Sequence, residues 1–155
     1  MAATLREYDP ADFDALHALD QACYPPGISY SRRTLKWYLA LPGADCLVAK
    51  NAEAHEDIWG FIIAESDGAA GHLITIDVAE SRRRSGVGTA LLRQMEQRLA
   101  RRGVRRVELE TATSNEAAVA FWQRHGYRTH GVIPRYYLDR LDAYAMVKVL
   151  SHEAH

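Results

Sequence analysis

Three consecutive arginines and two glycines are crowded into one turn of this sequence, at residues 82–84, Gly86 and Gly88. Alternating apolar residues over 73–78 predict a strand before the turn, and apolar residues at helical spacing over 87–99 predict a helix after it. The first amide groups of a helix have no internal partners and attract anions, arginine donates well to phosphate, and glycine lets a ligand approach the backbone. The turn therefore predicts a pyrophosphate-binding site at a helix N-terminus.

Two other phosphate-binding motifs do not fit this turn. A P-loop needs Lys-Ser or Lys-Thr after its glycines, and neither follows Gly88. The glycine spacing also differs from the G-x-G-x-x-G pattern of dinucleotide sites. Taken alone, the residues fit equally well a tight strand-to-helix turn with a solvated basic edge, so the motif leaves both interpretations open.

The pattern Arg83-x-x-Gly86-x-Gly88 between a strand and a helix resembles the acetyl-CoA signature of the GNAT superfamily of N-acetyltransferases. The order of the predicted elements is also similar, over about residues 4–150. The resemblance implies an α/β fold as a single GNAT domain over residues 1–155. It implies a mixed, mostly antiparallel sheet of six to seven strands, about four helices, a central pair of splayed parallel strands, and acetyl-CoA as the cofactor.

The resemblance also implies which residues hold acetyl-CoA. The acetyl-pantetheine arm would enter between the two splayed strands, the turn would hold the pyrophosphate, and an asparagine and the helix after it would contact CoA. The expected cofactor-binding residues are Ile76, Asp77, Val78, Arg83, Arg84, Ser85, Gly86, Val87, Gly88, Thr89, Asn115, Ala118, Phe121 and Trp122.

The sequence departs from the family pattern at Trp122, where the family has a tyrosine that protonates the CoA thiol. An indole N–H cannot release a proton in this way. Trp122 and Phe121 either pack against the cofactor or fill the core. The thiol would then take its proton from water or from another tyrosine, or need none.

Acetyl transfer from a thioester to an amine requires a proton acceptor. Glu110 lies five residues before Asn115, which is the position of the candidate general base in ribosomal-protein alanine acetyltransferases. Without the resemblance, Glu110 would be interpreted as an ordinary solvated glutamate. His72 begins the strand before the turn, where some N-terminal acetyltransferases carry a tyrosine, and an imidazole pKa near ~6.5 suits proton transfer. Glu110 and His72 are the candidate catalytic residues, with Glu110 ranked first.

Two tyrosine-bearing segments bear on the acceptor substrate. Residues 24–31 contain paired prolines and a glycine, which exclude a helix, and form either a hydrophobic clip over the core or a substrate-facing rim. The pair at residues 136–137 is by composition ordinary for a strand. Both segments nevertheless resemble the peptide-binding segments of protein Nα-acetyltransferases. The expected substrate-binding residues are Tyr24, Tyr30, Tyr136 and Tyr137.

The elements that must position these residues follow from periodicity and from helix-capping and turn residues. A first strand over 4–8 precedes a helix that begins after Asp9 and ends near Cys23, and a second helix covers 31–41. Strands over 45–50, 58–65 and 71–78 form a meander, with a polar loop at 51–57. The helix after the turn ends at Gly103, and a strand over 105–111, a helix over 115–125 and strands over 127–137 and 143–150 follow.

Composition excludes several classes of protein. With 48% hydrophobic and 25% charged residues, no apolar run of membrane-spanning length and no signal peptide, the chain is expected to be soluble, with no membrane partner. Isolated Cys23 and Cys46 predict buried thiols in a reducing cytoplasm, and the histidines form no metal pattern. Residues 82–106 hold nine arginines against one acid, but a phosphate site and a solvated helix end account for them without a nucleic-acid partner.

The residues and the resemblance favour three functions, in decreasing order of preference. The first is acetylation of the α-amino group of a protein or peptide N-terminus, such as that of a ribosomal protein. The second is acetylation of a small amine such as a polyamine, an aminoglycoside or an amino acid. The third is a non-catalytic acyl-CoA-binding module. The chain is expected to be a monomer or a homodimer.

Overall fold

The structure is a computed structural model that describes residues 3–51, 57–138 and 140–150. Its elements follow the chain in this order: β1 Ala3–Glu7, α1 Phe13–Cys23, α2 Arg32–Leu39, β2 Ala44–Asn51, β3 Ile58–Asp67, β4 Ala70–Val78, α3 Val87–Arg101, β5 Arg106–Ala112, α4 Glu116–Arg124, β6 Arg128–Tyr137 and β7 Leu141–Val149. The elements lie within about two residues of the predicted ones. Most of the predicted polar loop, residues 52–56, lies outside the described residues.

The strands form one sheet in the order β1-β2-β3-β4-β5-β7-β6. Only the β4–β5 pair is parallel among the pairs of the described strands. The α3 helix connects β4 to β5, since two parallel neighbours need a long crossover connection. The predicted α/β fold, with six to seven mostly antiparallel strands and about four helices, is confirmed.

Local signals at the helix ends explain where the helices begin. Asp9 and Asp12 form a capping box around a short 3₁₀ turn that leads into α1. The side chain of Ser31 accepts a hydrogen bond from the Thr34 amide and caps α2. Gly103 follows the C-cap of α3 with a φ of 94°, a left-handed conformation that favours glycine.

The sheet is buried on both faces. One face packs against α3 and α4, through a cluster that includes Leu91, Leu92, Met95, Leu99 and Trp122. The opposite face packs against α1 and α2, where Phe13, Leu16 and Leu35 meet Phe61 and Ile63 of β3. Two helices on each face cover the central strands and fix where β4 and β5 lie relative to the helices.

Candidate active site

β4 and β5 pair only at their N-terminal ends and then separate. Residues 70–72 of β4 pair with residues 106–108 of β5, whereas β4 continues to Val78 and β5 to Ala112. The gap that opens between them is the splayed parallel pair that the resemblance implies. It leaves edges of two central strands available to a ligand, which is unusual because backbone groups inside a sheet are normally paired.

A β-bulge in β4 decides which side chains face each layer of helices. Ile63 of β3 pairs with Thr75, and the next residue, Ala64, pairs with Leu73. Ile74 is therefore an extra residue on β4, and the alternation of side chains shifts by one beyond it. Leu73 packs in the α3–α4 cluster, whereas Asp77 contacts Asp20 of α1 on the opposite face.

The two candidate catalytic residues lie side by side where the strands begin to separate. His72 Nε2 is 2.7 Å from Glu110 Oε1. The Tyr136 hydroxyl donates to the same oxygen at 3.5 Å. The His72 side chain is 38% exposed and that of Glu110 is 21% exposed, so both are reachable from solvent. The structure thus joins a strand-end histidine, the glutamate ranked first and one of the predicted substrate tyrosines.

The electrostatics of this pair favour a bound proton. The hydrogen bond that His72 donates to the Glu110 carboxylate raises the pKa of His72 above its ordinary value, and burial opposes that increase without cancelling it. Glu65 and Glu108, on the strands that flank His72, raise it further. An imidazolium beside an ionised carboxylate can hold that carboxylate in place while its second oxygen accepts another proton.

The N-terminus of α3 has the features of an anion site. Gly86 is the N-cap, has a φ of 90° and offers no side chain to cap the helix. A Cβ built on Gly86 would have nothing within 4 Å, so the approach to the helix end is open. A Cβ on Gly88 would instead lie 3.4 Å from the Phe121 ring, because α4 packs closely there. Val87 is buried beneath this turn, which holds the helix end in place.

The arginines beside this helix end differ in what they contact. The Arg82 guanidinium lies over the Trp59 ring, 4.1 Å from its centre. Arg83 Nε donates to the Val78 carbonyl at 3.1 Å, so this predicted phosphate ligand is directed toward β4. Arg84 is exposed and has a φ of 64°, and the Ser85 hydroxyl bonds to the Arg82 carbonyl. Arg84 is therefore the arginine most open to a phosphate.

The α4 residues predicted to contact CoA divide between the protein interior and the cofactor side. The Asn115 side chain caps α4 through the Ala118 amide at 3.1 Å. Trp122 is buried and packs edge-on against Phe121 and Tyr127, so it fills the core. Phe121 is half-buried and packs against the start of α3.

Thr89 Oγ1 lies 3.1 Å from His125 Nε2 and joins the start of α3 to the end of α4. Burial lowers the pKa of His125, which favours the neutral ring at this contact.

Two of the predicted substrate tyrosines bond to β4. The Tyr24 hydroxyl donates to the Ile76 carbonyl at 2.7 Å, and the Tyr30 hydroxyl donates to the Ile74 carbonyl at 3.4 Å. Burial raises the pKa of both hydroxyls, so they remain donors. Tyr24 therefore fixes the start of the 24–31 segment to β4, whereas the long, weak Tyr30 bond can be exchanged for a bond to a ligand.

The predicted pantetheine-binding backbone is partly occupied by the chain itself. Besides the bond to Ile76, the Val78 carbonyl accepts from the Cys23 thiol at 3.4 Å and from Arg83. A carbonyl oxygen has two lone pairs, so the Ile76 carbonyl still has room for a second donor. Cys23 is only half-buried, in contrast to the prediction of two buried thiols, because it lies at the open end of α1; Cys46 is buried.

The two tyrosine-bearing segments meet across the mouth of the gap. Tyr136 and Tyr137 pack edge to face with ring centres 4.8 Å apart. A Cβ on Gly27, which has a φ of 95°, would collide with the Leu138 side chain in the turn after β6. Burial raises the pKa of Tyr136 to about 12 and raises that of Tyr137. Tyr136 thus contacts Glu110, Tyr137 lies close to Tyr136 and Glu110, and Tyr30 lies close to both tyrosines.

Sequence reasoning missed one group next to this site. The sequence predicts only a backbone role for Asp77, yet its carboxyl is buried beside that of Asp20, and the Thr75 hydroxyl donates to it at 2.7 Å. The available signal was an acidic residue in the middle of an apolar strand, between Ile76 and Val78.

Two other kinds of feature are absent from the part of the chain that the structure describes. In residues 3–51, 57–138 and 140–150, no cluster of acidic, histidine or cysteine side chains could hold a metal ion. No helix within those same ranges is long and apolar enough to cross a membrane.

Comparison with known proteins identifies the family of this chain. The model of the acetyltransferase (GNAT) family matches residues 13–127. An uncharacterized N-acetyltransferase of Methanocaldococcus jannaschii, MJ1530, is 29% identical over 93% of this chain and 90% of its own length. An N-alpha-acetyltransferase of Sulfurisphaera tokodaii is 37% identical, over 52% of this chain and 48% of its own length.

Solved structures share the fold over nearly the whole chain. Ard1 from Thermoplasma volcanium superposes with a TM-score of 0.86 at 25% identity, covering 98% of this chain and 100% of its own. The ribosomal-protein-S18-alanine N-acetyltransferase from Escherichia coli also gives a TM-score of 0.86, at 23% identity, covering 99% of this chain and 97% of its own.

Proposed function

Because this chain belongs to the GNAT family of acetyltransferases, we propose that it acetylates the α-amino group of a protein or peptide N-terminus. Enzymes of this family are N-acetyltransferases that take the acetyl group from acetyl-CoA. The observation that carries the choice of acceptor is the group formed by Tyr30, Tyr136 and Tyr137, because Tyr136 donates to Glu110 and the three hydroxyls suit a peptide backbone. The N-alpha-acetyltransferases among its relatives support the same choice.

Acetyl-CoA fits the residues present. The uncapped α3 N-terminus with its open approach at Gly86 would hold the pyrophosphate, with Arg84 beside it. Phe121 and the gap beyond residues 70–72 of β4 would receive the pantetheine arm. When bound, acetyl-CoA supplies a thioester carbonyl that an amine can attack.

Glu110 would accept the proton that the α-ammonium must lose before attack. Its Oε1 is held by His72 at 2.7 Å, so the second oxygen is left to accept that proton, directly or through one water. An α-amino group has an ordinary pKa of about 7.7–8.0, so a weak base suffices near neutral pH. His72 would orient the carboxylate and retain its own proton.

The tyrosines would orient the acceptor. A peptide presents backbone N–H and C=O groups within its first residues, and phenol hydroxyls can donate to these carbonyls whatever the side chain. Tyr30 can exchange its 3.4 Å bond to Ile74 for such a contact, and Tyr137 lies on the opposite wall. Orientation of this kind lowers the barrier because the reactants meet already aligned.

A panel of N-terminal peptides and small amines tests the proposal, together with the double variant Tyr30→Phe, Tyr137→Phe. The variant should raise peptide KM a few-fold to about tenfold for each hydroxyl lost, with acetyl-CoA affinity unchanged. Tyr8→Phe is the matched control, because Tyr8 follows the edge strand β1, far from the gap. If the wild type ignores free peptide N-termini and acetylates polyamines well, the proposal is wrong.

One observation favours a second candidate, a small cationic amine. Glu65, Glu108 and Glu110 all lie close enough to His72 to raise its pKa, so this end of the gap is acidic. Glu108 is partly neutralised by Arg106 at 2.8 Å, so Glu65 is the residue whose substitution distinguishes a polyamine acceptor from a peptide. If the acceptor is a polyamine, Glu65→Gln should raise its KM, whereas peptide acetylation should respond little.

A further inference from the structure

Two aspartates lie buried against each other on the α1 side of β4. Asp20 is 0% exposed and Asp77 is 1% exposed, and their carboxyl groups lie within hydrogen-bonding reach of each other. The Tyr30 amide donates to Asp20 Oδ2 at 2.6 Å, and the Thr75 hydroxyl donates to Asp77 Oδ1 at 2.7 Å. The remaining oxygens, Asp20 Oδ1 and Asp77 Oδ2, have no donor among the residues that the structure describes.

Two ionised carboxylates would be strongly unfavourable in this position. Each would lose its hydration, and the like charges would repel each other at close range. A single proton removes both problems, because it neutralises one carboxyl and gives the two remaining oxygens a hydrogen bond. Acid pairs that share one proton are the known outcome of such an arrangement.

We propose that Asp20 and Asp77 share one proton between Asp20 Oδ1 and Asp77 Oδ2, and that this acid pair positions the 24–31 segment against β4 to receive the acceptor. The proposal rests on the proposed function, since it assigns that segment to the acceptor slot. Asp20 and Asp77 are positioning residues, because the atoms that would react lie at the His72–Glu110 pair.

The bonds around the pair show why it would position the segment. Asp20 holds the Tyr30 amide at one end of the segment, and Tyr24 bonds to Ile76 at the other. The Cys23 and Tyr30 bonds to β4 carbonyls, at 3.4 Å each, are long and weak by comparison. The acid pair and the Tyr24 hydroxyl are thus the two strong anchors, one at each end of the segment.

Other groups near the pair do not neutralise it. The titratable and charged groups that face it from the surrounding elements are Cys23, Tyr24, Tyr30, Cys46 and Arg83. Arg83 is the one cation among these, and its guanidinium bonds to Val78 and Cys23 instead. Burial and then Asp20 raise the pKa of Asp77, and Thr75 and Arg83 oppose this less strongly.

Substitution of Asp20 by asparagine mimics the protonated pair. In Asp20→Asn, the amide oxygen can still accept from the Tyr30 amide, and the side-chain N–H donates permanently to Asp77 Oδ2, with the same net charge as the pair that shares one proton. Asp20→Ala removes the anchor and leaves Asp77 alone. Asp45→Asn is the matched control, because Asp45 is also buried but is paired with Arg98 and Arg102.

Infrared spectroscopy at neutral pH tests the proton without any assay of activity. The wild type should show the carbonyl stretching band of a buried protonated carboxyl, Asp20→Asn should lose it, and Asp45→Asn should keep it. The pH dependence of stability gives a second test. Because the pKa of Asp77 is raised, the folded state holds a proton that the unfolded state has released. Stability should therefore fall as pH rises from the ordinary aspartate pKa through the raised pKa of Asp77. Asp20→Asn should lack this decline.

Kinetics test the positioning role. Asp20→Ala should raise peptide KM by about five- to a hundredfold, the effect of an unpaired buried polar group, with acetyl-CoA affinity unchanged. Asp20→Asn should restore KM. Absence of the infrared band, or an unchanged KM in folded Asp20→Ala, would overturn the proposal. If the wild type does not acetylate peptides, the proposed function fails instead, and the infrared and pH–stability tests still decide the shared proton.

Discussion

Replacing Glu110 with glutamine removes a proton acceptor while keeping the size and shape of the side chain. In the wild type, Glu110 Oε1 accepts from His72 at 2.7 Å and from Tyr136 at 3.5 Å. A glutamine oxygen can keep these two contacts, so the geometry of the site should survive. What is lost is the negative charge and the free carboxylate oxygen.

The structure sets the expected size and form of the effect. Loss of a general base typically costs about 10²–10⁴ in rate, or roughly 3–5 kcal/mol of barrier. The hydrogen bond from His72 to Glu110 is the main cause that raises the pKa of His72, and burial acts in the opposite direction. Without the charge, burial prevails and lowers the pKa of His72, so the basic limb of any residual activity, where His72 loses its proton, should move to lower pH.

The assay is the pH profile of kcat/KM for a peptide acceptor, measured for the wild type and Glu110→Gln. Glu108→Gln is the matched control: it lies two residues earlier on the same strand and is paired with Arg106, so its profile should stay near that of the wild type. A Glu110→Gln variant with full rate at neutral pH and an unmoved basic limb would refute the assignment.

The same pair also contributes to stability. The raised pKa of His72 means that its bond to Glu110 stabilises the fold fully below the ordinary imidazole pKa, and that this contribution disappears as pH rises through the raised value. The loss of Tm in Glu110→Gln should therefore be larger near pH 6 than near pH 9. An equal loss of Tm at both pH values would show that folding does not raise the pKa of His72.

Two further predictions concern the cofactor site and the scaffold. Gly86→Val should weaken acetyl-CoA binding in calorimetry, because a β-branched residue at a φ of 90° must shift the helix end. Gly68→Val is the matched control, because Gly68 has a φ of 61° in an equally open turn. The control should lose stability but keep its affinity for acetyl-CoA. Arg98→Met should lower the unfolding free energy by about 1–3 kcal/mol in urea titrations, because buried Asp45 loses two hydrogen bonds of 2.7 and 3.1 Å. Arg101→Met, on the exposed side of α3, is the control and should lower it by less than about 0.5 kcal/mol.

Much of the fold was predictable because its signals are local. Capping residues such as Asp9, Ser31 and Asn115 satisfy the first amides of their helices, and they lie within four residues of the groups they bond. Glycines at 103 and 126 end helices through a backbone conformation that other residues disfavour. Such features depend on adjacent residues alone, so the sequence predicts the order and type of the elements well.

The candidate site was predictable only in part, because motifs name residues but not their partners. Glu110 and His72 were identified separately, and their contact depends on the register of β4 against β5. The sequence allows Trp122 either to pack against a ligand or to fill the core. Its burial against Phe121 and Tyr127 shows that it fills the core.

The sequence by itself determined the strand–turn–helix at 73–99, the glycines that open it and the residue types around the gap. Tertiary structure alone decided that His72 and Glu110, 38 residues apart, lie 2.7 Å from each other. It also decided that Asp77 faces Asp20, because a bulge at Ile74 shifts the alternation of β4, and strict alternation would have placed Asp77 with Leu73 on the other face. Local propensities specify where a strand forms, but register, bulges and packing are set by contacts between distant segments, and these determine which side chains meet.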